Sequence, residues 1–481
     1  MIEVTPFGFF VIFVLTILLL MVRYRTAVFV VIFFMAFETL GVINITTGKS
    51  FCLNTPQYLT ILLSFIFMMK SVRAKETLGR EIGLPSKSLP IAVTFGLILI
   101  ISSVLISFLT MSPEMVVFHR NGSIVNPVNL VFTARHITQL IYLLFSIFAF
   151  ATFFKAFRVI TAKEMVGAFV ISTAFLAFTA LLSLILRDKI AGVYDCLMNN
   201  ISIGEESMFS NVISQGDYLG VWRVSGIMRE PGVLSQVLLC GIIILAVYIV
   251  NQGILFSKRI DKLLILFLIV MTIATMSSTI LVGLCVIPFA LFFPMLTTKK
   301  KLALRVIKIL GFIFAISIIV VILSYIEVLN PISMFKYTMA KLGILEISGI
   351  GISRLYDSKL MLKSFQQSPI FGCGYGSGFL GAGGLVTLLA NVGIFGTICF
   401  LFFFRQIIFV KITRLTRNLE NPNYLALFAI RMAALNILMI ILATRNMGLG
   451  MYLPLWLLAA GSLGSFKIEK CQSVDESSDL Q

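Results

Sequence analysis

The sequence predicts an all-α fold: a polytopic helix bundle embedded in a membrane. Three observations carry this. Hydrophobic residues make up 59% of the 481 residues and charged residues only 12%, against about 25% charged in soluble domains. So much apolar surface needs lipid as its solvent. Apolar runs near the length that spans a bilayer as a helix recur along the whole chain. Lys and Arg fall in alternate loops, the pattern by which membrane proteins keep positive charge on the cytoplasmic side.

Thirteen candidate spans lie near residues 7–22, 27–45, 57–69, 91–111, 137–154, 166–186, 233–251, 263–276, 279–297, 309–327, 384–404, 424–442 and 449–465. The eighth and ninth form one run of 34 residues, Leu263 to Leu296, interrupted by the polar "TMSST" at Thr275–Thr279. One span cannot be that long, so a tight hairpin is expected there; a single tilted helix with a re-entrant piece is the alternative. Alternate loops and the C-terminal tail carry 24 basic and 9 acidic residues, and the opposite loops 13 and 11. Glu38 and Arg431 fall inside spans, where Arg431 has Glu38 as a candidate partner. The basic excess is topological and gives no support to nucleic-acid binding.

This alternation places the N-terminus outside and the C-terminus inside, in one integral membrane domain, 1–481, with a cytoplasmic tail at 466–481. The first span has no basic stretch before it and no small-residue cleavage site after it, which predicts an uncleaved anchor. Seven scattered cysteines suggest neither a metal site nor a disulfide framework. Cys52, Cys196 and Cys373 fall on the outside, where a bridge among them is open.

Two loops are long, both external: 187–232 and 328–383. Connections beyond about 12–15 residues in a compact protein are usually functional or disordered, and these are rich in Ile, Leu, Met and Phe. They are expected to fold back on the bundle mouth as short amphipathic helices. In the second loop Ser353 is a candidate N-cap for "RLYDSKLMLKSFQQ" and Ser368-Pro369 a stop. Leu355, Leu362 and Phe365 share one face there, while Arg354, Asp357, Lys363 and Gln367 stay polar. The uncharged stretch "SPIFGCGYGSGFLGAGG" follows, with seven glycines between Gly372 and Gly384. Glycine sits where a backbone bends sharply or lies close against something. Without the Lys-Ser/Thr of a P-loop or a preceding strand, nucleotide binding is rejected, and Gly372, Gly374 and Gly376 read as a close-packed return to the bilayer.

The first external loop ends in "GVWRVSGIMREPGVLSQ". It brings Arg223, Arg229 and Glu230 to the membrane face, where charges are costly unless paired or bound to a charged ligand. An Arg–Glu clamp that fastens the loop is one reading. An anion site is the other, because the guanidinium offers five donors in a fork suited to phosphate oxygens. Arg120, Arg135, Arg187, Arg223, Arg229, Arg354 and Arg445 are all expected outside, near span ends. His119 and His136, the only histidines, stand too far apart in sequence to suggest a metal site. No Walker motif, DxD-type metal pair or HExxH is present, so no cofactor and no metal is expected.

Three segments together resemble the family of bacterial O-antigen polymerases and ligases. "RVSGIMREPG" (Arg223–Gly232) is similar to that family's Arg-x-Ser-Gly followed by Glu-Pro at the start of a helix. "SRLYDSKLMLKSFQQSPIFGCGYGSG" (Ser353–Gly378) resembles its Arg-led helix followed by Pro-x-x-Gly-x-Gly. "LLANVGIFG" (Leu388–Gly396) is similar to its Gly-Ile-x-Gly inside the next span. The ligases carry a His-Asn-like pair eleven residues before that glycine motif; here Ala382 and Gly383 stand there, which favours a polymerase. The resemblance implies a metal-independent glycosyltransferase that joins undecaprenyl-pyrophosphate-linked oligosaccharide repeat units on the external face of a bacterial inner membrane. It also implies a chain-length regulator and a flippase as partners. Under this reading Arg223, Arg229, Arg354, Arg445 and Arg135 bind pyrophosphate. Glu230 is the base, or the partner that aims Arg229, and Asp217 and Asp357 are in reserve. An O-antigen ligase and a lipid-linked oligosaccharide flippase remain the alternatives.

Overall fold

The computed structural model describes residues 2–47, 49–73, 88–121, 124–186, 224–228, 230–275, 352–377, 383–444 and 452–463, with a few single residues and pairs between them. Among these, six helices are long and apolar enough to cross a membrane, covering Ile91–Leu109, Ala134–Val159, Ala162–Leu186, Pro231–Val250, Gly384–Arg417 and Pro422–Ala443. Exposed apolar side chains recur on them at helical spacing, as in Ile91, Phe95 and Ile98, or Ile137, Ile141 and Leu144. Outward stripes of this kind have no place against water and mark lipid-facing surface. The protein is a membrane-embedded helical bundle.

In chain order the helices are α1 (Pro6–Met21), α2 (Tyr24–Phe34), α3 (Thr55–Arg73), α4 (Ser88–Leu109), α5 (Ala134–Ala156), α6 (Ala162–Leu186) and α7 (Pro231–Val250). Then come α8 (Lys258–Ala274), α9 (Ile352–Gln367), α10 (Gly384–Phe409), α11 (Ile412–Arg417), α12 (Pro422–Thr444) and α13 (Leu453–Ser462). The central pair is α7 and α12, both almost wholly buried. Of the expected spans, 7–22, 57–69 and 449–465 correspond to shorter apolar helices, and 309–327 lies outside the described residues. At the expected hairpin α8 ends at Ala274, Ser277 Oγ donates to Thr279 Oγ1 at 3.0 Å, and helical backbone resumes at Thr279.

Two small antiparallel sheets accompany the helices, which the sequence reading did not anticipate. One pairs β1 (Ile2–Val4), β2 (Gly41–Thr47) and β3 (Lys49–Asn54) in that order. The other is the hairpin of β4 (Val116–Asn121) and β5 (Ile124–Asn129). The expected span at 27–45 is therefore corrected: its helix stops at Phe34 and the chain turns into β2. The β-branched alternation of "VINITT" suits a pleated ribbon.

Arg431 on α12 is 1% exposed. Its Nε and Nη2 donate to the Ser462 carbonyl at 3.1 and 2.9 Å, and its Nη1 donates to the Val410 carbonyl. Ser462 ends α13 and Val410 follows α10. Carbonyls at helix C-termini lack intrahelical donors and carry the negative end of the helix dipole. One guanidinium thus closes two helix ends. Glu38, offered by the sequence as its partner, does not bind it.

Candidate functional site

The glycine stretch is inserted into a break in α10. Gly393 has φ 66° and ψ −170°, which interrupts the helix. In an unbroken helix the N–H groups of Ile394 and Phe395 would bind the carbonyls of Ala390 and Asn391, four residues back. Here they donate to the Pro369 and Ile370 carbonyls at 2.9 and 3.1 Å. The carbonyls left open are taken by the N–H groups of Cys373 and Gly374, at 2.8 and 3.1 Å. Two lost bonds are replaced by four, all backbone to backbone.

This exchange explains the glycines. A Cβ on Gly372 would strike the backbone of Asn391 and Val392, and one on Gly393 would strike that of Ile370 and Phe371. Gly372, Gly374 and Gly376 all have positive φ, at 77°, 99° and 92°, where a side chain is strained. A Cβ on Gly374 would lie 2.7 Å from Met111 Sδ, and one on Gly376 would lie 2.7 Å from Gln139 Cγ. The Tyr375 N–H donates to Ser107 Oγ at 3.1 Å, and Ser377 Oγ donates to the Cys373 and Gly374 carbonyls. The loop is therefore held between the end of α4, the start of α5 and the break in α10. Burial pushes the Cys373 thiol up to about 11. Cys373 and Cys52 are both free thiols, so neither forms the bridge left open above; Cys196 lies outside the described residues.

Arg135 stands in the first turn of α5, half-buried, with its carbonyl 3.8 Å from where a Gly376 Cβ would be. The structure thus brings Arg135 and the glycine loop together. His136 closes the same helix end: its Nδ1 accepts the Thr133 N–H at 3.0 Å, and its ring stacks on Phe132. That is a capping role.

Helix α9 starts at Ile352, one residue before the expected cap Ser353, and ends at Gln367, before the expected stop. Its buried face is Asp357, Leu360, Met361 and Ser364, while Leu362 is 40% exposed. This corrects the expected face, and Asp357 is a buried carboxylate at 1% exposure rather than a solvated one. Gln367 accepts the Val116 N–H at 2.6 Å and donates to the Val116 carbonyl at 2.8 Å, joining α9 to β4. Gln139 and Ser107 were not singled out from sequence, and Gln367 only as a polar position of α9; proximity in space gives all three a role.

Glu230 is the exposed N-cap of α7, and its side chain makes no cap bond. Pro231 follows at the first helical position, where its missing N–H costs nothing. The preceding residues 224–228 are buried, and a Cβ on Gly226 would lie 2.7 Å from Thr179 Oγ1. Gly253, beyond α7, lies beside Leu425 at the start of α12, and Gly383 lies beside Ala443 at the end of α12. Glu230, Gly383 and the glycine loop therefore share one end of the bundle. Arg223, Arg229, Asp217 and Arg445 lie outside the described residues, and Arg354 is placed only as backbone in the first turn of α9. No protein-family model matches the chain, and no curated protein matches it.

Proposed function

We propose that this protein is a metal-independent membrane glycosyltransferase of the O-antigen polymerase type. It would join undecaprenyl-pyrophosphate-linked oligosaccharide units at the outer face of a bacterial inner membrane, with its N-terminus external and its C-terminus cytoplasmic. The observation that supports this best is the union of two of the three resembling segments. The glycine motif at 372–376 and the one at 393–396 were found apart in sequence, and each occupies the other's backbone. The third segment, Arg223–Gly232, has Glu230 at the same end of the bundle.

The chemistry is a substitution at an anomeric carbon. The hydroxyl oxygen of the acceptor sugar bonds to that carbon, and the bond to the pyrophosphate oxygen of the carrier breaks. Undecaprenyl pyrophosphate leaves with the electron pair. Arg135 and Arg354, with Arg223, Arg229 and Arg445, would stabilise its charge; removing one such donor typically costs about 10²–10³ in rate. Glu230 would take the acceptor's proton, with Asp217 in reserve. Buried Asp357 suits a supporting role better than proton transfer.

Deleting the gene in its host and resolving the surface glycolipids by gel tests the reading. A core carrying one repeat unit, with the ladder lost, is the expected result. Polymer stranded on its carrier lipid would mean a ligase instead. Repeat units confined to the cytoplasmic side would mean a flippase.

A further inference from the structure

Residues 224–228 thread into the bundle instead of lying across it, and all five are buried. The Val224 N–H donates to the Ala274 carbonyl at the end of α8 at 3.4 Å. The Met228 N–H donates to the Ser225 carbonyl at 3.1 Å and closes a four-residue turn. Gly226 is the first central residue of that turn, with φ 59°, where a side chain is strained. A Cβ there would also lie 2.8 Å from the Ala180 nitrogen, in the backbone of α6. Backbone wedged this closely must have its polar groups met inside the protein.

Ile227 is the other central residue of the turn and is buried. Among the described residues the donor to its carbonyl is Thr39 Oγ1, on a side chain that is buried as well. Thr39 is remote in sequence, in the connection between α2 and β2, and that connection is itself held. Ser172 Oγ of α6 donates to the Phe33 carbonyl at 2.5 Å. The Leu40 carbonyl accepts both the N–H and the Oγ1 of Thr55, each at 2.9 Å. Glu230 follows Ile227 by three residues and opens α7, with no cap bond from its side chain. The path of the backbone before it therefore decides where its carboxylate stands. We propose that Thr39 is a positioning residue for Glu230. By holding the Ile227 carbonyl it sets how the chain enters α7. The anchoring rests on bonds and burial; only its consequence for catalysis rests on the polymerase reading, in which Glu230 takes the acceptor's proton.

Two substitutions in the full-length protein test this: Thr39→Val keeps the shape and removes the hydroxyl, and Thr39→Ser keeps the hydroxyl. In Thr39→Val, backbone hydrogen exchange across 224–228 should speed up at least about tenfold, since a buried carbonyl loses its donor. In Thr39→Ser it should keep the parental rate, with α12 unchanged in both. Repeat-unit joining should fall at least about tenfold in Thr39→Val, the scale of a slightly misplaced catalytic group. Thr39→Ser should restore it to within about threefold of the parent. Thr55→Val is the matched control, a buried hydroxyl lost nearby that leaves the Leu40 carbonyl its N–H donor; joining should stay within about threefold of the parent. Unchanged exchange at 224–228 in Thr39→Val overturns the anchoring. Equal losses of joining in Thr39→Val and Thr55→Val overturn the positioning role, and so does faster exchange with joining intact. If the parent itself joins no repeat units, the polymerase reading fails, while the exchange rates still decide the anchoring.

Discussion

The C-terminal end of α10 and the break within it face the same problem: backbone groups left open away from water. Where α10 and α13 stop, the arginine of a neighbouring helix reaches a carbonyl at each helix end. Nearer its start α10 is broken at Gly393, and a loop's own backbone fills the gap. The first solution uses one long charged side chain. The second uses the absence of side chains. A substitution at the first site removes donors, and one at the second inserts an obstacle, so the two regions should fail differently.

The largest effect is expected at Arg431. Arg431→Leu removes the guanidinium donors from two carbonyls and should cost about 3 kcal/mol, read as a lower melting temperature in detergent. Arg431→Lys should recover part of it, since an ammonium reaches only one carbonyl well. A leucine variant as stable as the parent would sink the helix-end account. Gly372→Ala and Gly393→Ala should each cost about 2 kcal/mol through strain and backbone collision. Because both break one junction, the double variant should lose far less than the two losses combined.

Gln367→Ala sharpens the contrast on the side of the break. It frees the first residue of β4 and should cost about 1 kcal/mol. Hydrogen exchange should speed up in β4 and α9 and stay unchanged in α7 and α12; a change in the central pair would show that the two regions are coupled. The smallest effect concerns reactivity alone. With its pKa raised to about 11, the Cys373 thiol should alkylate about 10²-fold more slowly at pH 8 than an ordinary cysteine. The rate should climb as pH approaches that value, since only then does thiolate form.

Much of this contrast could be read in the sequence, but unevenly. Helix positions were legible because lipid imposes long apolar runs and little else satisfies that demand. Pro231 and Ser368-Pro369 marked their helix boundaries for local reasons. Arg431 stood out as a charge in an apolar run, yet its partners are carbonyls, which every residue has, so sequence offered only the wrong acid, Glu38. The glycine cluster announced a tight fit without naming what it fitted. The matching break at Gly393 was seen only as part of a resemblance. The burial of Asp357 was misread because a helix with one apolar face on paper was met by a hairpin that periodicity did not reveal.

The exchange of bonds at Gly393 also bears on how the chain is made. The loop lies upstream of the helix it completes, so translation delivers the repairing segment before the gap exists. The first nine residues of α10, Gly384–Val392, can then be held at the surface by Cys373 and Gly374 while Ile394 onward enters the lipid as a separate piece. A span that looks continuous to a hydropathy window is assembled from two parts, and the seam between them lies where the glycine loop is docked.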